Sequence, residues 1–374
     1  MIAGEAWESI IHGAAELEPG TAGAVVPHRL PAWARAQVDD AMLSYVEACP
    51  GGVALRFDTD ATEATLTIGA TTVAAEGADM PTIAPLIVSR SGEESSVPGP
   101  VPTVIVLSPQ NEPIGVLPHA PQEITLPLPG SGLVEVLLPH NARIELVSLT
   151  ASAPLRPASA AGLRWTHYGS SISQGLNAVS AARTWPVAAA RKLGWNLRNL
   201  SFAGNAQFDG FAARMIRDVP ADIITLKVGV NLLNSDSMRE RAFRPAAHAF
   251  LDTIREGQPH TPIVLITALA CPIHEETPGP VVMDADGIAR TATRTVEQDA
   301  GALTLRRTRE ILAEVVAARP DPNLTLVDGQ ELFGAADAGL LYDRLHPDQE
   351  GLDLIAERFV ERIAPLAGEA AGAA

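Results

Sequence analysis

The sequence predicts two domains: an all-β sandwich of the jelly-roll type, followed by a three-layer, doubly wound parallel α/β domain. First, the chain has 374 residues, more than a single core usually organises. Second, the early part alternates apolar and polar residues at a period of two, whereas strand and helix patterns alternate after residue 163. Third, residues 152–162 are small, proline-bearing and aperiodic. We therefore expect a β domain at 1–151, a linker at 152–162 and an α/β domain at 163–374.

Short stretches of alternating polarity, separated by Pro, Gly, Asn or Asp, predict the strands of the first domain. They are Val53–Phe57, Ala64–Ile68, Thr103–Leu107, Glu123–Leu126, Val134–Leu138 and Arg143–Val147. One helix is expected between Pro31 and Glu47. Several short strands with few helices are typical of a sandwich or jelly roll.

The second domain shows strands and helices in alternation, which predicts a parallel sheet with helical crossovers. The predicted strands are Leu163–Tyr168, Leu197–Phe202, Ile223–Val228, Ile263–Thr267 and Leu324–Val327. The predicted helices are Thr184–Leu193, Pro245–Arg255, Leu303–Ala318 and Gln349–Ile363. The alanine- and glycine-rich tail after Leu366 is expected to fray.

The composition narrows the classes of partner. Lys and Arg total 27 against 44 Asp and Glu, a net charge of −17, which disfavours nucleic acid and anionic membrane surfaces. No apolar run approaches the ~18–20 residues of a membrane helix. The first residues carry no export signal, and the two cysteines are too few for a disulfide framework. These features predict a cytoplasmic protein and favour neutral or cationic ligands without choosing among them. They leave a homo-oligomer open.

Four turns in the second domain carry chemically useful side chains. Three of them follow predicted strands, and open α/β sheets bind ligands at the carboxyl ends of their strands. Acyl transfer needs a nucleophile, a base, a group that orients the base, and donors for an oxyanion. All of these occur in Tyr168–Gly175, Phe202–Asn205, Val228–Asn231 and Asp343–Pro347.

The four turns resemble the motif blocks of the SGNH hydrolases, also called the GDSL esterase and lipase family. The blocks stand in the family's order and span roughly residues 163–365. The resemblance implies an SGNH-hydrolase-like, flavodoxin-like sheet and an ester hydrolase that needs no metal or organic cofactor. It also implies that Ser171 is the nucleophile, His346 the base and Asp343 the partner of that base.

The resemblance further implies an oxyanion hole, made by the backbone N–H groups of Ser171 and Gly204 and the side-chain amide of Asn231. One position departs from the family. Ser170 stands where an aspartate usually precedes the nucleophile. Two adjacent serines leave open which one attacks, and the flanking Gly169 favours Ser171.

Four further side chains are predicted at the rim of the pocket: Ser170, Asn205, His274 and Glu275. The last two lie in the long, proline-rich segment Cys271–Ala300. Long segments at this end of a sheet often wall a pocket, and a rigid surface loop is an equal alternative.

Two ionisable residues lie inside predicted strands. Lys227 is interpreted as a lysine whose head group reaches a buried carboxylate or the protein surface. The alternative is a catalytic amine. For His167, the preferred interpretation is a packed or hydrogen-bonded core histidine.

The domain order suggests a substrate class. A small β domain before an SGNH domain resembles two-domain bacterial carbohydrate esterases. The first hypothesis is therefore a serine esterase that removes short acyl groups, O-acetyl groups above all, from a carbohydrate or glycoside. The alternatives are a lipid or aryl-ester hydrolase with the same triad, and a non-catalytic sugar-binding protein.

Overall fold

The computed structural model describes residues 1–37, 40–159, 161–284, 286–292 and 299–372. Parts of four predicted segments lie outside these residues: 38–39 of the first helix, 160 of the linker, 285 and 293–298 of the long loop, and 373–374 of the tail. The chain divides into two compact units. The first comprises Met1–Ala161 with Val179–Ala182, and the second Gly162–Ala178 with Arg183–Ala374.

The first unit contains two β-sheets. Its strands are β1 Ile11–His12, β2 Glu16–Pro19, β3 Val25–His28, β4 Ala54–Asp58, β5 Glu63–Ala75, β6 Leu86–Arg90, β7 Glu93–Val97, β8 Thr103–Leu107, β9 Pro113–Leu117, β10 Gln122–Pro127, β11 Leu133–Leu137, β12 Arg143–Ala151 and β13 Arg156–Pro157. One sheet has the order β1-β4-β11-β6-β7, with β13 on β4, and the other β2-β3-β12-β5-β8-β9, with β10 on β5. Neighbouring strands are antiparallel except β5 and β8, which are parallel.

Inward-facing residues of both sheets form one hydrophobic core, as in a β-sandwich. Strands β4 and β11 contribute from one sheet, and β5 and β12 from the other, with Leu55, Phe57, Val134, Val136, Leu66, Ile68, Ile144 and Leu146. Each of the six predicted strands overlaps an observed one. The all-β fold of this part is therefore confirmed.

The single helix predicted between Pro31 and Glu47 is wrong. Two helices occur there, α1 Ala32–Arg35 and α2 Ala41–Ala48. Asp40 has an extended backbone, and its carboxylate accepts a hydrogen bond from the N–H of Leu43 at 2.7 Å. Asp40 is therefore an N-cap that starts a new helix.

The second unit is built on five parallel strands, β14 Arg164–Gly169, β15 Asn196–Ser201, β16 Ile223–Lys227, β17 Ile263–Ile266 and β20 Leu324–Val327, in the order β15-β14-β16-β17-β20. A hairpin adds β18 Val281–Met283 and β19 Ala289–Thr291. The helices are α3 Ser171–Gln174, α4 Trp185–Leu193, α5 Gly210–Asp218, α6 Val230–Asn234, α7 Glu240–Gly257, α8 Leu305–Ala317 and α9 Gln349–Gly372. Helix α4 packs with α9, whereas α7 packs with α5 and α8. This is the predicted doubly wound α/β fold.

Two helix boundaries differ from the predictions. Helix α7 begins at Glu240 rather than at Pro245, so Pro245 lies inside the helix, where its missing N–H removes one i→i−4 hydrogen bond. The final helix continues to Gly372 instead of ending before the tail. No helix in the described ranges has an apolar stretch long enough to cross a bilayer.

Candidate active site

The first candidate turn follows strand β14, which lies between β15 and β16 in the sheet. Strand β14 ends at Gly169, and the short helix α3 begins two residues later at Ser171. A Cβ atom on Gly169 would lie 2.5 Å from the hydroxyl of Ser173 and 2.8 Å from Nε2 of His167. Only glycine fits here, so the chain can turn sharply and present Ser171 at the carboxyl end of the sheet.

Ser171, His346 and Asp343 form a continuous chain of hydrogen bonds. Ser171 Oγ lies 3.0 Å from Nε2 of His346, and Nδ1 of the same ring lies 2.6 Å from Oδ2 of Asp343. An ionised carboxylate only accepts, so Nδ1 carries the proton in this pair and Nε2 is left to accept from the serine hydroxyl. This is the geometry in which an imidazole can deprotonate a serine.

Asp343 is held by its own loop. It is 4% exposed, and its Oδ1 accepts hydrogen bonds from the N–H of Leu345 at 2.9 Å and of His346 at 2.6 Å. Burial by itself raises the pKa of the Asp343 carboxyl, but the hydrogen bonds from His346 and Leu345 outweigh it, and the pKa lies below its ordinary value. Asp343 is therefore kept ionised.

Asn231 presents an unmet donor close to this site. It lies in helix α6, immediately after strand β16, and is 1% exposed. Its Oδ1 accepts from the N–H of Ala206 at 3.0 Å, while its Nδ2 has no hydrogen-bond partner among the described residues. An unpaired buried N–H is costly, which makes this amide a natural binding group for an incoming oxygen atom.

The turn that carries Gly204 is fixed from two sides. Gly204 is exposed and has φ +74°, a conformation that favours glycine. Gln174 of helix α3 accepts a hydrogen bond from the N–H of Ala203 at 2.8 Å, and the Tyr168 hydroxyl accepts one from the N–H of Phe208 at 3.2 Å. These anchors tie the second turn to the nucleophile turn. Sequence reasoning missed both, although Gln174 lies inside the first motif block.

The two adjacent serines have different environments. Ser171 is half-buried and contacts His346, whereas Ser170 is 1% exposed and accepts a hydrogen bond from Lys227 Nζ at 3.2 Å. The predicted destination of Lys227 is wrong, since the residue is 2% exposed and its head group reaches no carboxylate among the described residues. The apolar surroundings of the ammonium lower the pKa of Lys227 to about 7.

Of the four predicted rim residues, two have partly exposed side chains and two are buried. Asn205 is half-buried and donates to the carbonyl of Ala203 at 2.8 Å. Glu275 is paired with Arg309 at 2.7 Å, so its carboxylate is already neutralised by that guanidinium. His274 is fully buried, with Nδ1 3.2 Å from the carbonyl of Thr277. Ser170 and His274 therefore do not line a rim, because both side chains are packed inside the protein.

The predicted core role of His167 is confirmed, since its ring is fully buried and its Nδ1 lies 2.7 Å from the hydroxyl of Thr225. Both cysteines, Cys49 and Cys271, are buried free thiols. Within the described residues, no three His, Cys, Asp or Glu side chains are grouped closely enough to hold a metal ion.

Comparison with known families gives a match over part of the second unit. The model of the GDSL-like lipase/acylhydrolase family matches residues 164–276. The match includes Ser171, Gly204 and Asn231 and ends before Asp343 and His346. The matched segment contains three of the four turns that resemble this family, Tyr168–Gly175, Phe202–Asn205 and Val228–Asn231.

Solved structures similar to this chain cover nearly its whole length. One is the salicylyl-acyltransferase SsfX3 from a tetracycline biosynthetic pathway, with a TM-score of 0.78 and 26% identity over 95% of this chain and 94% of the other. Another is a GDSL-like lipase from Bacteroides ovatus, with a TM-score of 0.64 and 19% identity over 96% of each chain. A family two carbohydrate esterase from Cellvibrio japonicus has a TM-score of 0.56 and 12% identity over 97% and 96%. At 19% and 12% identity, the last two structures show only that the fold is shared. No curated protein matches the chain.

Proposed function

We propose that the protein is a serine esterase that hydrolyses short acyl esters through an acyl-enzyme on Ser171. The observation that carries the proposal is the hydrogen-bonded chain from Asp343 through His346 to Ser171, with distances of 2.6 and 3.0 Å. A nucleophile, a base and an orienting carboxylate in this order are what acyl transfer requires.

The reaction begins when Ser171 Oγ attacks the ester carbonyl carbon and its proton passes to His346 Nε2. The new C–O bond places negative charge on the former carbonyl oxygen. When this intermediate collapses, the bond to the leaving alcohol breaks, and His346 gives that oxygen the proton. Water then attacks the acyl-enzyme with His346 again as base, releasing the acid and restoring Ser171. Asp343 stabilises the imidazolium that forms twice in this cycle.

The developing oxyanion is bound by the backbone N–H groups of Ser171 and Gly204 and by the Asn231 amide. The Nδ2 of Asn231 supports this role, since it has no hydrogen-bond partner among the described residues and can donate to a substrate oxygen. A donor of this kind contributes about 2.7–4 kcal/mol to transition-state stabilisation.

The proposed substrate is an O-acetyl ester on a carbohydrate or glycoside. Support comes from the shared order of a β unit followed by a hydrolase unit in family two carbohydrate esterases. Aromatic residues make up only 4% of the chain, which favours a small glycoside over a polymer bound along many stacking platforms. The cytoplasmic location and a homo-oligomeric state remain predictions.

A panel of model esters tests this proposal. Rates that fall steeply beyond acetyl or butyryl, together with turnover of acetylated sugars, are expected for wild type and absent from Ser171→Ala. A preference for long acyl chains would favour the lipase alternative instead. A serine-directed phosphonate should label Ser171, and the absence of any adduct would favour the non-catalytic sugar-binding alternative.

A second candidate is acyl transfer to an alcohol other than water, with an aromatic acyl group. Two observations favour it. The similarity to the salicylyl-acyltransferase spans 95% of the chain. Tyr342 is 55% exposed, and its ring lies nearly parallel to that of His346, at 25° and 6.2 Å between centroids. Product analysis with an aryl ester and an added alcohol separates the two: a transferred ester supports transfer, and free acid alone supports hydrolysis.

A further inference from the structure

A buried amine lies directly behind the nucleophile turn. Lys227 is the last residue of strand β16, next to β14 in the sheet, and it is 2% exposed. Its Nζ donates to Ser170 Oγ at 3.2 Å, and no described carboxylate lies within ion-pair distance of it. A buried ammonium without a counter-ion destabilises a fold, so its presence here calls for a role other than stability.

The surroundings of Lys227 connect it with several parts of the site. It lines a cavity of about 10 Å³ together with Ile172, Val230 and Leu345. Each of these three apolar residues is the chain neighbour of a candidate site residue: Ser171, Asn231 and His346, respectively. The amine thus packs among the residues that directly adjoin Ser171, Asn231 and His346 in the chain. A cavity of this size holds about one water molecule and excludes a substrate, so Lys227 acts only through its neighbours.

Ser170 is the neighbour through which it acts. Ser170 is the N-cap residue of helix α3, yet its side chain makes no capping hydrogen bond. Its hydroxyl is instead bound to Lys227. Because Ser170 shares a peptide bond with Ser171, this contact fixes the direction of the Ser171 N–H, a proposed oxyanion donor, and the placement of Ser171 Oγ.

We propose that Lys227 is a positioning residue, which holds the nucleophile turn in its reactive geometry by binding Ser170. This inference rests on the proposed esterase function. It also accounts for the serine at position 170, since a neutral hydroxyl can bind the amine in either of its protonation states: it accepts from the ammonium and donates to the neutral amine.

A double-mutant cycle tests the coupling. Lys227→Met keeps the apolar stem and removes the amine, and Ser170→Ala removes the hydroxyl. Each change is expected to lower kcat about tenfold with KM nearly unchanged, and the double variant should be no worse than either single variant, because both break one contact. Lys192→Met is the matched control, since Lys192 is the chain's other lysine and lies at the surface, paired with Glu357. Unchanged kcat in both single variants, or independent losses that multiply, would overturn the proposal.

A spectroscopic measurement covers the case in which Lys227→Met fails to fold. The chain has two lysines, so isotope labelling of the lysine side chains gives two NMR signals. The signal that disappears in Lys192→Met belongs to Lys192, and the other belongs to Lys227. The Lys227 signal should shift in Ser170→Ala and again when a phosphonate modifies Ser171, while the Lys192 signal stays in place. A Lys227 signal indifferent to both changes would refute the coupling. Failure of the esterase proposal looks different, because wild type itself would then lack turnover and a phosphonate adduct.

Discussion

The carboxylate of Asp343 serves two purposes through its two oxygen atoms. Oδ2 lies 2.6 Å from Nδ1 of His346, and Oδ1 accepts the backbone N–H groups of Leu345 and His346 at 2.9 and 2.6 Å. One side chain therefore shapes the loop that carries the base and fixes the tautomer of that base.

Replacing Asp343 with Asn separates these two purposes. The amide oxygen can still accept from the backbone, so the loop should keep its shape. The amide N–H₂ cannot accept from the ring, which favours the wrong imidazole tautomer, and kcat should fall by about 10³–10⁴-fold. Steady-state kinetics with circular dichroism checks this expectation, and Asp60→Asn, at an exposed site in the β unit, is the control. A variant with normal kcat would remove Asp343 from the triad.

The nucleophile is identified by comparing the two adjacent serines. Ser171→Ala should lower kcat by at least about 10³-fold and abolish phosphonate labelling, because no other hydroxyl in the described part of the chain is hydrogen-bonded to the His346 ring. Ser170→Ala should still be labelled and lose only about tenfold, since Ser170 is buried and contacts Lys227. The reverse pattern would mean that the nucleophile assignment is wrong by one residue.

The amide of Asn231 is tested most sharply by Asn231→Asp. The carboxylate still accepts from the N–H of Ala206 but offers no donor to an oxyanion. The expected result is a loss in kcat of about 10²–10³-fold with little change in KM, because the lost contact forms mainly in the transition state. Asn231→Ala should lose a similar factor. An effect confined to KM would instead assign Asn231 to ground-state binding.

The site was predictable from sequence because parallel strands end at one edge of a sheet. Three turns far apart in the chain, at Gly169, Ala203 and Gly229, follow the neighbouring strands β14, β15 and β16. The alternation of strands and helices, with elementary acyl-transfer chemistry, is therefore enough to predict from sequence that their side chains lie at one edge of the sheet. The strands of the β unit that were missed include β7, whose residues Glu-Glu-Ser-Ser-Val lack the alternation that marks a half-buried strand.

The supporting contacts were not predictable in the same way. Gln174 and Tyr168 act on backbone N–H groups of residues 203 and 208, and a backbone partner leaves no pattern in the side chains of a sequence. For Lys227, the rule that buried lysines meet carboxylates gave the wrong partner, because the nearest polar group is the hydroxyl of Ser170. His274 was misplaced because a loop position says nothing about whether the side chain turns inward.

The last prediction concerns the pH dependence of stability. Burial lowers the pKa of Lys227 from 10.5 to about 7 in the folded protein. Between these values the unfolded chain binds a proton that the folded chain does not, so the contribution of Lys227 to the free energy of unfolding rises with pH from about 7 to 10.5. Lys227→Met lacks this contribution. Its stability relative to wild type should therefore be greatest below pH 7 and should decline as the pH increases.

Denaturant unfolding of wild type and Lys227→Met across this range measures the difference, with Lys192→Met as the control. Two other titratable groups face Lys227, and both titrate outside the window. Burial and the Lys227 charge hold the pKa of His167 well below 6.5, and burial raises the pKa of the Cys271 thiol to about 12. A difference in unfolding free energy that stays constant from pH 6 to 10 would show that Lys227 keeps an ordinary pKa, in conflict with its apolar surroundings.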